Sequence, residues 1–455
     1  MARAKKETAL TPEERLQAAL VPDWEWPYKL PGNWCWTKIG SISSLHRGVS
    51  YKKTDAHTER RENSCLVMRG GNICEGSIDT EADNIYVDIS LVAENQIVRK
   101  NDIIIVASTG STKVIGRAGI SKMDYLDVAF GAFLLLVRPS TKVNQRYIDY
   151  FFLSDNYRNR IKKLASGINI NNIRGEYITE TLVPLAPLAE QQRIVDRIES
   201  LFAKLDEAKE KAQAVVDSFE TRKAAILHKA FTGELTAKWR EEHGVSIDNW
   251  KTTRFDSVAA IRSNLVDPAE YQSFPHIAPD NIEKKTGMLL EYHTIAEDGV
   301  TSGKHRFYSG QILYSKIRPY LSKAVVVDFD GLCSADMYPI EAYQNARCLW
   351  YYMLSDEFLL QASTAGSRSV LPKINQKELS ALTVHLPTND REQEEIARIL
   401  DELFDKEQQT KEAAEVVLDQ IDLMKKSILA RAFRGELGTN DPSEESAVEL
   451  LKQIF

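Results

Sequence analysis

The stretch AILHKAFTGELT (225–236) returns two hundred and two positions later as SILARAFRGELG (427–438). A helix ending written twice in one chain raises the question of how far the duplication reaches. Upstream, the match stays gapless at the same offset of 202: EQQRIVDRIESLF (190–202) lies on EQEEIARILDELF (392–404). Glu190 falls on Glu392, Ile194 on Ile396, Leu201 on Leu403 and Gly233 on Gly435. Earlier segments echo more faintly, in the same order in both halves. NWCWTKIGSI (33–42) resembles NWKTTRFDSV (249–258), NDII (101–104) resembles GQIL (310–313), and IDYFFLSDNY (148–157) resembles LWYYMLSDEF (349–358). Ordered matches of this kind predict two copies of one unit, a divergent domain of roughly 150 residues followed by a well-kept helix.

The boundaries that follow are an N-terminal extension (1–32), a globular domain (33–189), a repeated helix (190–240), a second globular domain (249–391), a second repeated helix (392–437) and a C-terminal tail (438–455). In the first helix apolar residues fall at Ile194, Ile198, Leu201, Leu205, Ala208, Ala212, Val215, Phe219 and Ile226, the alternating steps of four and three of a heptad seam. The second helix keeps that register at Ile396, Leu400, Leu403, Ala414, Val417, Ile421, Met424 and Ile428, with Glu407 and Thr410 as a polar layer that fixes partner and register. Phe202 and Phe404 accompany the seams, and Gly233 and Gly435 suit left-handed caps. Each helix could pack on its own domain; two long, narrow seams in shared register point instead to an antiparallel coiled coil with pseudo-twofold symmetry. If unbroken, the first helix would run about 69 Å at ~1.5 Å per residue.

The globular segments read as α/β or α+β. Short β-rich runs such as DIIIVAS (102–108), AFLLLVRP (132–139) and KAVVVDF (323–329) alternate with turns, and helical stretches follow at 147–164 and 349–362.

Composition bounds the function classes. Over 455 residues, 43% are hydrophobic and 27% charged, which suits a soluble protein of two or three domains. No apolar run approaches the ~18 residues of a membrane span, and the start MARAKKETALTPEER lacks a hydrophobic signal core. Five cysteines without paired spacing argue for a cytoplasmic location and against disulfides or a zinc site. The net charge of −7 is unevenly spread: 33–189 holds 20 Lys and Arg against 16 Asp and Glu, whereas 392–455 holds 8 against 16. A DNA-binding face is a local property, so the total does not exclude one.

Polar residues concentrate in turns at matching places in the two halves. In the first these contribute Arg47, Tyr51, Lys52, Lys53, Ser108, Thr109, Ser111, Lys113, Asn171, Asn172 and Arg174; in the second, Arg262, Asn264, Lys316, Arg318, Tyr320, Lys323, Arg368 and Lys373. Such side chains reach phosphates and, as Arg or Asn, the edges of guanine or adenine. Any one loop could be an ordinary solvated turn; recurrence carries the weight. STGSTK (108–113) could cradle a nucleotide phosphate but lacks the full GxxxxGK[ST] spacing. There is no GxGxxG, no HExxH, no Asn or Asp followed by Pro-Pro and an aromatic, and no metal-ligand grouping of the eight histidines. No catalytic constellation emerges, which leaves a DNA-recognition protein ahead of a DNA-modifying enzyme with unrecognised motifs or a coiled-coil adaptor.

PLAPLAEQQRIVDRIESLFAKLD (184–206), AILHKAFTGELTAKWR (225–240), LPTNDREQEEIARILDELF (386–404) and SILARAFRGELG (427–438) resemble the specificity subunits of type I restriction–modification systems, as do RGVSYKK, GAFLLLVRP and SGININNI in the first half. One departure is that LPTNDREQEEI reads as two residues longer before Glu392. The resemblance implies two target recognition domains, each reading one half of a split, asymmetric double-stranded DNA sequence, with the coiled coil setting the gap. It implies no catalysis and no cofactor in this chain. Two modification subunits would carry S-adenosylmethionine and methylate adenine, and restriction subunits would add an ATP- and Mg-dependent nuclease. The partner-facing surface is expected around Ile198, Leu201, Phe202, Leu403 and Phe404.

Overall fold

The computed structural model describes residues 11–111, 113–166, 172–365 and 372–455. The chain divides into two compact units, one formed by residues 1–210 with 417–455, the other by residues 211–416. Each unit therefore combines one globular domain, the start of one repeat helix and the end of the other.

In the first unit a four-stranded antiparallel sheet runs in the order Ser43–Arg47, Leu134–Pro139, Ile103–Val106, Ala118–Ile120. The run Ile103–Val106 is buried throughout because both faces of that sheet are covered. Ile103 and Ile105 pack toward the helices. Ile104 and Val106 join a second cluster with Leu66, Met68 and Phe130 of a three-stranded sheet. A continuous apolar run is what a strand buried on both faces requires. Cys35–Lys38 pairs with Leu182–Leu185, bringing the domain's two ends together next to the helix start.

The second unit repeats the plan. Its sheet runs Ala259–Ile261, Met337–Ala342, Ile312–Ser315, Ala324–Val326, and Trp250–Arg254 pairs with Thr383–Pro387. Ile312 and Tyr314 face the helical core while Leu313 faces a smaller cluster under a five-stranded sheet. Each helical stretch expected after these sheets is split, into Gln145–Phe152 and Asp155–Ser166 and into Ala346–Met353 and Asp356–Ala365. A serine stands at the break in each copy: the Ser154 hydroxyl donates to the Phe151 carbonyl at 2.6 Å and that of Ser355 to Tyr352 at 2.7 Å. A hydroxyl bonded to a nearby carbonyl competes with the helical ladder.

The repeat helices pair antiparallel within each unit. In the first, Lys209 meets Asp422 at 3.2 Å, while Lys425 pairs with Asp206 and lies over the Phe202 ring. In the second, Arg222 meets Glu407 at 2.7 Å, Lys411 lies over Phe219 and Lys223 over Phe404. Glu407 of the expected polar layer thus has a cation from the facing helix. Ile194, Ile198, Ile396 and Leu400 are buried and Leu201, Leu205, Leu403 half-buried.

Three expectations need correcting. The first helix is not unbroken: it runs Leu188–Asp217, yields at Ser218, whose hydroxyl bonds the Ala214 carbonyl at 2.5 Å, and resumes as Phe219–Phe231. The second is continuous over Asp390–Ala432. Val417 and Met424 leave the seam, at 40% and 49% exposure, while Ile421 keeps its predicted buried place and Leu429 and Ala432, outside the predicted seam, are buried as well. A straight helix drifts about 20° per heptad against a strict 3.5-residue repeat, so a seam extrapolated far enough turns outward. Nor is there an insertion before Glu392: two residues separate strand Leu182–Leu185 from Leu188, and two separate Thr383–Pro387 from Asp390.

The phenylalanine before each repeated Gly-Glu-Leu turn packs into its own unit. Phe433 stands against Tyr147 and Phe151, with ring centroids 5.1 and 5.5 Å away; Phe231 stands 5.0 Å from Tyr352. Residues 12–34 and 447–455 are built into the first unit: Val21, Leu30, Leu450 and Leu451 join its core. Gly435 has φ +72°, and a Cβ there would sit 2.5 Å from Pro31. Gly435→Ala is expected to lower stability by about 1–3 kcal/mol, read as a shift in the urea midpoint.

In the helix Gln145–Phe152, Asp149 is fully buried with one oxygen unpartnered and the other 3.2 Å from Arg146. Burial pushes its carboxyl up to about 7 against the pull of Arg146. Since this lies above the ordinary 3.8, folding favours the protonated acid, and stability falls as pH rises from 3.8 through about 7. Asp149→Asn is expected to remove that stretch of pH dependence. Urea midpoints at pH 5 and pH 8 should converge in the variant relative to the parent chain.

Candidate nucleic-acid interface

In both units strand direction gathers the polar loops at one edge of the four-stranded sheet. Strand Ser43–Arg47 ends into 48–53, Ile103–Val106 ends into 107–113, and Leu134–Pro139 begins after 131–133, with Leu135 opposite Arg47 and Leu134 opposite Val106. Ser108 bridges to Asn172, and the Ile173 amide donates to the Ala107 carbonyl at 2.6 Å. A polar groove of about 690 Å³ results, lined by Arg47, Gly48, Ser50, Ala132, Asn172, Arg174 and others. Gly48 is needed there, because a Cβ would collide with the Gly131 carbonyl.

Arg47, Lys52, Lys53, Lys113, Asn172 and Arg174 are exposed at this edge, as is Ser111; Tyr51 is half-buried against the cluster around Val49 and Cys65. Ser108 and Thr109 are half-buried, and the Thr109 hydroxyl accepts the Ser111 amide at 3.3 Å. Among the described residues none of these five cations pairs with a carboxylate. Asn171 and Arg368 lie outside the described residues.

The second unit has the same frame with other side chains. Ile317 bridges to Lys373, the Arg318 amide donates to Pro372 O at 2.8 Å and the Ile374 amide to Lys316 O at 2.9 Å. Arg318 and Ser322 both adopt left-handed backbone, φ +48° and +46°, and present the exposed Tyr320 between them. Several predicted cations are engaged within the protein. Arg262 pairs with Glu341 at 2.6 Å and Lys373 with Asp336 at 3.1 Å, both pairs half-exposed. Lys316 donates to the Ala335 carbonyl and lies over the Tyr338 ring; Lys323 donates to Pro279 O at 2.6 Å with its side chain 14% exposed. Exposed Arg318, Tyr320 and Asn264 are the freer groups.

Two features escaped the sequence reading. Arg306 is ringed by Tyr271, Phe274 and Tyr308 at 5.4, 6.0 and 4.8 Å, a clustering that strand-like KHRF does not advertise. Phe133, read as part of a strand, is 69% exposed at the loop-bearing edge of the first unit. Among the described residues no three His, Cys, Asp or Glu side chains stand together as metal ligands, and no helix is long and apolar enough to cross a membrane.

Residues 31–216 and 247–417 match the model of the type I restriction modification DNA specificity domain, once for each copy. The chain belongs to this family. Among its relatives, the type I restriction enzyme EcoDI specificity subunit of Escherichia coli is 40% identical over 329 residues, covering 65% of this chain and 74% of that subunit. The EcoKI specificity subunit of Escherichia coli strain K12 is 28% identical over 463 residues, covering 94% and 96%. The crystal structure of the HsdS subunit from Thermoanaerobacter tengcongensis shares the fold, with TM-score 0.58 and 18% identity over 90% of this chain and 99% of that one. A chain from a study of complex assembly and conformational transition in the type I R-M system matches at TM-score 0.66 and 17% identity, over 90% and 100%.

Proposed function

We propose that this family member is the sequence-reading subunit of a type I restriction–modification assembly, with each globular domain recognising one half of a split double-stranded DNA target. The observation that carries the reading is the recurrence of one loop-bearing sheet edge, framed by the same backbone bonds, with unlike side chains in the two copies. A shared frame with different loops suits two dissimilar half-sites. Paired helices from both copies would fix the gap between them, since half-site spacing follows from the geometry of the protein that spans it.

On this reading the exposed cations of the first edge hold phosphates and set register, while Asn172, Arg318 and Tyr320 are placed to meet base edges. The chain supplies no chemistry of its own. Two modification subunits would bring S-adenosylmethionine and the methyl transfer to adenine. Restriction subunits would bring ATP- and Mg-dependent cleavage, all in the cytoplasm. Ile198, Leu201, Phe202, Leu403 and Phe404 would support the surface on which the modification subunits assemble.

Reconstitution with a cognate modification subunit tests the proposal. A two-part footprint on genomic DNA, absent when this chain is omitted, is the expected result. Methylation or cleavage by the purified chain alone would contradict it.

A further inference from the structure

We infer that Phe133 is a base-reading residue of the first domain, making the apolar contact to a thymine methyl in the half-site that this domain recognises. The inference rests on the DNA-reading function proposed above. Phe133 is 69% exposed and follows Ala132 of the groove at the edge where Arg47, Ser108 and Asn172 stand. Its backbone is held firmly. The Phe133 carbonyl accepts the amides of Ala107 and Ser108, both at 3.0 Å. Around it, the Leu134 amide donates to Gly131 O at 2.9 Å and the Gly131 amide to Met68 O at 2.9 Å. A turn held by these four backbone hydrogen bonds has little backbone freedom left to lose on binding, so the position of the ring is largely pre-organised.

The second copy sharpens the point. There the carbonyl that accepts the Lys316 amide, at 3.0 Å, belongs to Asp336, whose carboxylate meets Lys373 at 3.1 Å. One backbone position thus presents an apolar ring in one domain and an ion pair in the other. Nothing in the fold of the first unit needs the ring, since it joins none of the buried clusters of that unit. In the major groove the thymine C5-methyl is the apolar feature of the base edges, and it is read by apolar side chains such as Phe.

The test uses the complex of this chain with its modification subunit and duplexes carrying the methylated motif. Each thymine of the first half-site is replaced in turn by uracil, which removes only the methyl group. In the parent complex one such replacement is expected to weaken binding by about 10-fold. Phe133→Ala is expected to weaken cognate binding by a similar factor, to leave random-duplex binding unchanged and to be indifferent to that uracil. A parent complex insensitive to every uracil, a first half-site without thymine, or a Phe133→Ala complex that still senses the same uracil overturns the inference. Failure of the parent complex to distinguish its motif from random duplex would instead overturn the DNA-reading function itself.

Discussion

Replacing Glu392 with alanine is expected to lower the stability of the second unit by about 3–5 kcal/mol. Glu392 is fully buried, and one of its oxygens accepts from three groups: the Thr236 hydroxyl at 2.8 Å, the Arg240 guanidinium at 2.7 Å and the Trp250 indole at 3.0 Å. Thr236 and Arg240 follow the first Gly-Glu-Leu turn, Trp250 opens the second domain and Glu392 opens the second helix, so one carboxylate ties three stretches of chain. Without it, the Arg240 side chain, 10% exposed, keeps its charge in a buried place with only the Thr236 hydroxyl and the Gly233 carbonyl for company. That uncompensated charge dominates the loss. A natural comparison lies 202 positions upstream. Glu190 is equally buried but accepts from neutral donors, Trp34 at 2.7 Å, Asn440 at 2.8 Å and Thr439 at 3.3 Å. Glu190→Ala should cost less, about 1–3 kcal/mol, because unpaired neutral donors are cheaper to bury than a guanidinium. Guanidinium-denaturation midpoints of the two variants would order the losses. Equal or reversed losses would contradict the assignment of Arg240 as the dominant partner.

The second large effect concerns the salt dependence of DNA binding. Arg47, Lys52, Lys53 and Arg174 are exposed at one edge, and among the described residues none has a carboxylate partner. Each phosphate neutralised releases counterions and adds roughly 0.9 to the slope of log K against log salt. Replacing all four with alanine is expected to flatten the slope by roughly 3–4 and to weaken specific and non-specific binding together. Lys323→Ala serves as the contrast, since that ammonium donates to the Pro279 carbonyl and sits beside Asp280. It should leave the slope unchanged. Anisotropy titrations of the assembled complex between 50 and 200 mM salt would read both, and an undiminished slope in the quadruple variant would remove the first edge from the interface.

Duplication was the most legible property of the sequence, because a gapless offset needs no packing information to be read. The antiparallel pairing followed from two seams in one register. Periodicity failed where tertiary geometry takes over. Val417 and Met424 turned outward through helical drift, and the first helix breaks at Ser218, an unremarkable position in a heptad count. The loops were legible as loops, and their gathering at one sheet edge depends on strand order, which the sequence does not display. Nor does composition reveal which cations are free: Lys323 and Lys52 look alike in sequence, yet one is bonded internally and the other stands in solvent. Phe133 was hidden for the opposite reason. GAFLLLVRP reads as an unbroken apolar strand, but the strand starts at Leu134, and the residue before it sits in the turn.

The central claim is that two unlike readers on a duplicated frame recognise two separated half-sites. Methylome sequencing of a host expressing this chain with its modification subunit tests it most directly. The account predicts one asymmetric motif in two parts with an unspecified gap of constant length, and replacing residues 33–187 with the corresponding domain of another specificity subunit should change one part alone. A single contiguous motif, or a swap that alters both parts together, would contradict it.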